Sequence, residues 1–314
     1  MNEKNKKVEE RTIKSKGYRS GAIKFNVTKK HNLDNLVGIV PISGYNISFG
    51  TVCPHCLTQV APGFSMIENC VYRCANFGCK SIWILCNDGM EPIIRATLGD
   101  FIFYYGEKTP KTKNFFRRNP TSSIPIYYVP LRITDSTKKR RKNCVGWSIL
   151  SGIATINKFL TSGISHWVTP DRYYVGFYPG IFSTDNIEGA RLIHEENKDK
   201  AFYFAHNGNT VADNEMLDFI IRHHEVIDYY KLFREAELKS AKNDMINLDR
   251  IFKTDIITDS CQIEETDWYY KLDTWSSYRK FCGDERTNIK RPNFYKIGHR
   301  RYYRKKGWNS KLVM

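Results

Sequence analysis

Apolar positions in the first half of the chain fall in short runs. Residues 36–42, 47–52, 81–86, 93–98, 100–105 and 124–133 each gather β-branched or aromatic side chains over the length of a strand and are predicted strands. The run SIPIYYVPLRI at 123–133 carries two prolines, which remove ladder donors, so it is expected at a sheet edge. In the second half the spacing changes to three and four. Thr210-Val-Ala-Asp213 has the form of a capping box, and behind it Leu217, Ile220, Ile221, His224, Ile227 and Tyr230 recur at helical intervals, which predicts one long helix over 211–240. Asp185 and Glu188 favour the amino end of a shorter helix over 185–197, and a strand is expected over 201–205. Residues 145–160 read equally as a helix or as a strand and turn, because Gly146, Gly152 and several β-branched residues break the pattern. The expected class is α+β, with a β-rich amino-terminal half and a helical carboxy-terminal half.

Length and charge add to this picture. A chain of 314 residues with 41% hydrophobic content suffices for one large domain or two modest ones. No apolar stretch approaches the roughly 18 residues of a membrane span, and the opening MNEKNKKVEERTIKSK lacks the apolar core of a secretory signal. An intracellular protein that is neither secreted nor held in a membrane is expected. Lys and Arg number 49 against 33 acids, a net charge of +16, which predicts attraction to a polyanion, DNA or RNA. The excess is uneven, since residues 185–273 hold 20 acids and 11 bases. The pattern divides the chain into a basic arm (1–35), a cysteine-rich segment with flanking strands (36–90), a basic β-rich region (91–180), an acidic helical region suited to a protein partner (181–275) and a basic aromatic tail (276–314). The densest cationic run is Lys138, Lys139, Arg140, Arg141 and Lys142; the tail offers Arg300, Arg301, Tyr302, Tyr303, Arg304, Lys305 and Lys306. Cations set among rings suit phosphate and base contact.

Nine cysteines in a reducing compartment point to metal ligands, reactive thiols or buried small hydrophobes. Cys53-Pro-His-Cys56 followed by Cys74-Ala-Asn-Phe-Gly-Cys79 supplies two short-spaced pairs whose four thiolates would enclose one Zn2+ in a structural site, with His55 between the first two expected to be exposed. Cys70 and Cys86 are alternative ligands. The CPxC opening and the closing knuckle within VYRCANFGCKSIW resemble the zinc ribbons of the Ogr/Delta family of phage late-transcription activators over about residues 51–84. That resemblance implies a zinc ribbon with Cys53, Cys56, Cys74 and Cys79 as ligands, and fits a phage, viral or mobile-element source.

Neither a G-x-x-x-x-G-K-[ST] loop nor a G-x-G-x-x-G turn occurs, so nucleotide sites of those two kinds are not indicated. The segment Ala205-His206-Asn207-Gly208-Asn209 leading to Asp213, Asp218, His223 and His224 resembles the HNH endonuclease pattern. It implies His206 as the base that activates water, Asn209 or Asp213 shaping the turn, and Asp218 or His223 holding Mg2+ or Mn2+. Its alternative is a polar turn capping a structural helix. Cys144, ahead of the apolar run from Ser148, is a candidate thiol nucleophile or a packed core residue. Three functional readings follow: a zinc-ribbon nucleic-acid-binding protein, a metal-dependent HNH-like endonuclease centred on His206, and an assembly protein of a nucleoprotein particle.

Overall fold

The computed structural model describes residues 11–13, 23–25, 35–45, 47, 49, 53–87, 89–104, 122–131, 144–162, 170–185, 187–240, 246–252, 261–291 and 295–298. In chain order the strands are β1 (Arg11–Ile13), β2 (Ile23–Phe25), β3 (Leu36–Pro41), β4 (Gln59–Ala61), β5 (Phe64–Ser65), β6 (Ser81–Asn87), β7 (Phe101–Tyr104) and β8 (Ser122–Leu131). There follow β9 (Arg172–Val175), β10 (Gly180–Phe182), β11 (Ala201–Ala205), β12 (Phe219–Arg222), β13 (Cys261–Glu265), β14 (Tyr269–Lys271) and β15 (Tyr295–Gly298). The helices are α1 (Met66–Asn76), α2 (Glu91–Leu98), α3 (Val145–Ser162), α4 (Ile187–Glu196), α5 (Val226–Lys239) and α6 (Trp275–Gly283).

Nine of these strands form one mixed, mostly parallel sheet in the order β13-β11-β12-β9-β3-β6-β8-β7-β15, with β12 and β7 running against the rest. Alternation along each strand feeds two cores. Leu36 and Val40 of β3, Ile82 and Ile84 of β6, and Tyr174 of β9 face the layer of α1, α2 and α4; Val37, Ile39, Trp83, Leu85, Tyr173 and Val175 face that of α3 and α5. The winding explains the layers. From β3 the chain moves outward to β6 and β8 through helices on one face, then returns through α3 on the opposite face to β9, on the other flank of β3. Right-handed crossovers in opposite directions require helices on opposite faces. The strand order therefore reverses between β3 and β9.

Several expectations change here. Residues 93–98 lie in a helix, because Glu91 and Pro92 open a first turn, Ile94 and Leu98 share its buried face, and Gly99 at φ 68° ends it. The expected helix over 211–240 divides into a 3-10 turn (Val211–Asp213), the strand β12, a second 3-10 turn (His223–Glu225) and α5. Pairing between β9 and β11 outweighs the helical spacing: Phe219 and Ile221 enter one core and Ile220 the other. β8 is an inner strand. It pairs with β7 over Ser122 to Pro125 and with β6 over Ile126 to Leu131, so each proline sits where one flank alone carries a ladder. Residues 145–160 are helical. The acidic stretch is no separate helical face, since it supplies β11, β12 and β13 to the common sheet. Of residues 47–52, only 47 and 49 are described, and neither is in a strand.

Candidate functional site

Open α/β sheets bind ligands beyond the carboxyl ends of their strands, where the order reverses. Here that place is the pair of turns leaving β3 and β9. After Pro41 the chain bends sharply, with the amides of Ile42 and Ser43 both donating to the Leu85 carbonyl at 2.8 and 3.2 Å. Gly44 sits at φ 93°, and a Cβ there would lie 2.7 Å from the Cys144 carbonyl carbon, so this turn presses against the amino end of α3. Ser43 Oγ donates to Ser148 Oγ at 3.2 Å across the same contact.

The turn after β9 is held from below by a buried ion pair. Arg73 Nε and Nη2 donate to the two Asp218 oxygens at 2.8 and 3.0 Å, both side chains being wholly buried. Asp218 also accepts from the Phe177 amide at 2.9 Å and from Tyr174 Oη at 2.7 Å, while Arg73 donates to the Phe177 carbonyl at 2.8 Å and to Asn69 Oδ1 at 2.8 Å. Both charges are thus fully bonded, the condition under which a buried pair persists.

Above this base the wall is aromatic. Tyr45 meets Tyr178 edge-on at 4.8 Å between ring centroids, His55 stands 5.8 Å from Tyr178 and 3.9 Å from Phe49, and Phe49 reaches Trp275 and Tyr278 at 5.7 and 5.8 Å. Three polar atoms in this wall, Tyr45 Oη and His55 Nδ1 and Nε2, are buried without a hydrogen-bond partner among the described residues. Burial lowers the His55 pKa to about 4, partly opposed by the nearby Asp273 carboxylate, so the imidazole is neutral at neutral pH. Burial, then Tyr178, push the Tyr45 phenol up, and it stays protonated. Unpaired buried polar groups are costly and are met in folded proteins by water or a ligand. Behind the wall Tyr269 Oη accepts from the Met216 amide at 2.9 Å and donates to Glu215 at 3.0 Å.

The cysteines do not make a metal centre. Residues 53–84 form a turn, the hairpin of β4 and β5, the helix α1 and most of β6, not a ribbon. Cys53 is exposed, whereas Cys56, Cys74 and Cys79 are buried, the last two beneath Gly38 of β3, where a Cβ would meet both sulfurs at 3.3 Å. Cys70 and Cys86, the alternative ligands, are core residues as well. Among the described residues no group of three or more His, Cys, Asp or Glu is placed to hold a metal ion. The physical reason is α1: its apolar face draws Cys70 and Cys74 into the sheet, and burial pushes both thiols well above their usual pKa and Cys56 to about 12. With the ribbon go the resemblance to phage activators and the source it suggested. His55 is half-buried in the wall rather than exposed.

The HNH-like residues are likewise occupied separately. His206 and Asn209 exchange backbone hydrogen bonds of 3.0 Å around Asn207 (φ 52°) and Gly208 (φ 76°), a two-residue hairpin turn with both central residues left-handed. His206 Nδ1 bonds the Thr266 carbonyl at 3.0 Å. Asp213 accepts from the Thr210 amide at 2.9 Å in a capping box. Asp218 is the carboxylate of the Arg73 pair, and His223 Nδ1 bonds Tyr173 Oη at 3.0 Å. Cys144 is buried, its Sγ bonding the Ile246 carbonyl at 3.4 Å, and burial raises its pKa to about 11, which makes it a packed core thiol. Lys138, Lys139, Arg140, Arg141, Lys142, Arg300, Arg301, Tyr302, Tyr303, Arg304, Lys305 and Lys306 all lie outside the described residues.

The structure is similar to a UDP-glucose pyrophosphorylase complexed with UDP-glucose, with a TM-score of 0.50 at 12% identity over 79% of this chain and 97% of that one. It is also similar to a putative glucose-1-phosphate thymidylyltransferase from Bacillus anthracis in complex with a sucrose, with a TM-score of 0.51 at 14% identity over 82% and 97% of the two chains. The fold, a mixed α/β architecture around a large, mostly parallel sheet, is shared with these two structures. No protein-family profile and no curated protein matches the sequence. Neither neighbour is, by its name, a nucleic-acid binder, a nuclease or a nucleoprotein component, which corrects the expected nucleic-acid-binding protein, HNH-like endonuclease and assembly protein with their DNA or RNA partner. No helix among the described residues is long and apolar enough to cross a membrane.

Of the wall residues, Tyr45, Tyr178 and Asp273 belong to no motif in the sequence, and His55 stands out there only as an exposed residue between the two cysteines of the expected zinc motif. Their signal is indirect: Gly44 and Gly176 each stand just beyond a buried parallel strand.

Proposed function

We propose that the protein is a nucleotidyltransferase that joins a nucleoside triphosphate to a sugar 1-phosphate in the crevice beyond β3 and β9. In this reaction a phosphate oxygen of the sugar 1-phosphate attacks the α-phosphorus, the bond to the β-phosphate oxygen breaks, and pyrophosphate leaves. The observation that carries the reading is the placement of three unpartnered buried polar atoms, on Tyr45 and His55, at the point where strand order reverses. The fold neighbours, which handle UDP-glucose and thymidylyl transfer to glucose 1-phosphate by their names, support it.

A phosphate monoester has its second pKa near 6 and is largely ionised at neutral pH, so the nucleophile needs no general base. Catalysis then consists of holding the attacking and leaving oxygens in line and stabilising charge. That accounts for a site without a catalytic triad. Phosphoryl chemistry of this kind draws on a divalent cation, but the described residues offer no such cage, so no step here is assigned to one. The protein's part is rigid support: Arg73 and Asp218 lock the Phe177 peptide, and α3 backs the Gly44 turn.

The test is pyrophosphate release from UTP or dTTP on adding glucose 1-phosphate, with the nucleotide sugar identified by mass. The reading predicts release that depends on both substrates and drops at least tenfold in Tyr45→Phe combined with His55→Ala. Wild-type protein that releases no pyrophosphate with any nucleoside triphosphate and sugar 1-phosphate pair overturns it.

A further inference from the structure

Away from the aromatic wall, a cavity of about 460 Å³ opens between α1, the residues that follow β10 and the segment 286–291, and none of Tyr45, His55, Tyr178 or Asp273 lines it. Its volume falls in the range of small-molecule sites, roughly 300–1,000 Å³. Rings make up part of the lining. Phe64 and Tyr72 meet edge-on at 6.4 Å between centroids, and the half-buried Trp268 lines the cavity with them. The rest carries charge of both signs on separate segments: Arg286, Lys290 and Arg291 on one, Asp185 on another. Arg286 is engaged, its Nη2 lying 2.6 Å from Asp284 Oδ2. Arg291 reaches Glu68 Oε1 only at 3.7 Å, while Glu68 Oε2 serves the Ser65 capping box. Among the described residues Lys290 makes no ion pair, and the Asp185 carboxylate accepts from Ser183 Oγ at 3.2 Å and from no cation.

Opposite charges that line one cavity without meeting across it suit a ligand that carries both. Asn69 adds a direction, since its Oδ1 accepts from Arg73 Nη1 at 2.8 Å and its Nδ2 is the end of the amide left to donate into the cavity it lines. We infer that this cavity is a second ligand site and that it binds a free aromatic amino acid. The ligand's carboxylate meets Lys290, the planar fork of Arg291 and Asn69 Nδ2; its ammonium meets Asp185; its ring packs on Tyr72 and Trp268. Exposed ion pairs are individually weak. Selectivity therefore comes from presenting all three groups on one small frame, and a ligand lacking any of them is bound poorly.

Calorimetric titration of the full chain with L-phenylalanine, L-tyrosine and L-tryptophan tests this, alongside L-leucine and the amines and aryl propionates that lack the carboxylate or the ammonium group of each. At least one of the three aromatic amino acids is expected to bind, with L-leucine and the two corresponding analogues weaker by about tenfold or more. The variants should then act selectively. Asp185→Asn should erase the preference for the amino acid over its propionate, and Lys290→Gln with Arg291→Gln should erase the preference over its amine, each leaving the other preference in place. A folding defect cannot produce such crossed losses. Wild-type protein that binds none of the three amino acids, or binds an amine or propionate as tightly as its parent, overturns the assignment, as does binding that the variants leave unchanged. Displacement of the amino acid by UTP or glucose 1-phosphate also overturns it, because the cavity would then belong to the proposed transfer reaction. Pyrophosphate release tests that reaction separately, and its failure leaves this site standing.

Discussion

Asp218, wholly buried, takes four hydrogen bonds, two from Arg73 and one each from Tyr174 and the Phe177 amide. Replacing it with asparagine removes the charge that Arg73 needs while keeping the shape. Truncating one partner of a buried pair costs about 3–5 kcal/mol, because the other charge is left uncompensated. Asp218→Asn should lower the urea midpoint accordingly, and Arg73→Met with Asp218→Leu should be less damaging than either single change. A loss below about 1 kcal/mol would mean that the pair is dispensable. Two histidines add a pH dependence. Burial lowers both His55 and His223 to about 4 from an ordinary value of 6.5, so the unfolded chain binds more protons than the folded one between those limits. Their contribution to stability is complete above about 6.5 and is lost as pH falls toward about 4. Denaturation midpoints measured from pH 7 to pH 4 should decline, and less steeply in His223→Gln.

At the scale of elements, strands buried on both faces were legible wherever the apolar run was short and bounded: residues 36–42, 81–86 and 201–205 correspond closely to β3, β6 and β11. α4 was legible from its charged first turn. Much of what failed reflects the dependence of β structure on distant partners, whereas residues 93–98 form a helix whose local Pro92 and Gly99 signals the apolar run masked. Phe219, Ile220 and Ile221 satisfy a helical spacing and a strand alternation equally, and the neighbours β9 and β11 decide between them. Cysteine spacing misled for a related reason, since CPHC and CANFGC describe local turns while α1 between them sends its sulfurs into the core. The site was opaque because it is assembled from turns far apart in sequence and needs no catalytic triad. α1 itself carries a checkable local signal. Ser65 and Glu68 form a complete capping box, with Glu68 Oε2 accepting from the Ser65 amide at 2.8 Å and Ser65 Oγ from the Glu68 amide at 3.3 Å. Ser65→Ala should cost about 1 kcal/mol in chemical denaturation, with the fold otherwise retained.

Across the whole molecule, the aromatic wall beyond β3 and β9 gathers segments that meet only when the sheet is complete: residues 41–45, the turn at 53–57, residues 176–180 and residues 273–278. A ligand seated there touches the folded chain at all of them and has no comparable site in the unfolded chain. It must therefore stabilise the fold by mass action, by about 2.7 kcal/mol when its free concentration is one hundred times its dissociation constant. In a chain of 314 residues this raises the melting temperature by a few degrees. Amide exchange gives the effect a location. Ile42, Ser43 and Gly176 already donate to strand carbonyls, so their protection should rise with the ligand, as should that of Leu57 and Thr58 in the turn that carries His55. The hairpin at His206–Asn209 serves as the internal comparison, because its bonds close upon themselves and on Thr266. Protection that increases at the β3 and β9 turns but not at this hairpin is the outcome a crevice ligand requires. If glucose 1-phosphate and a nucleoside triphosphate together raise protection at the hairpin and leave the β3 and β9 turns unchanged, the site has been placed at the wrong end of the sheet.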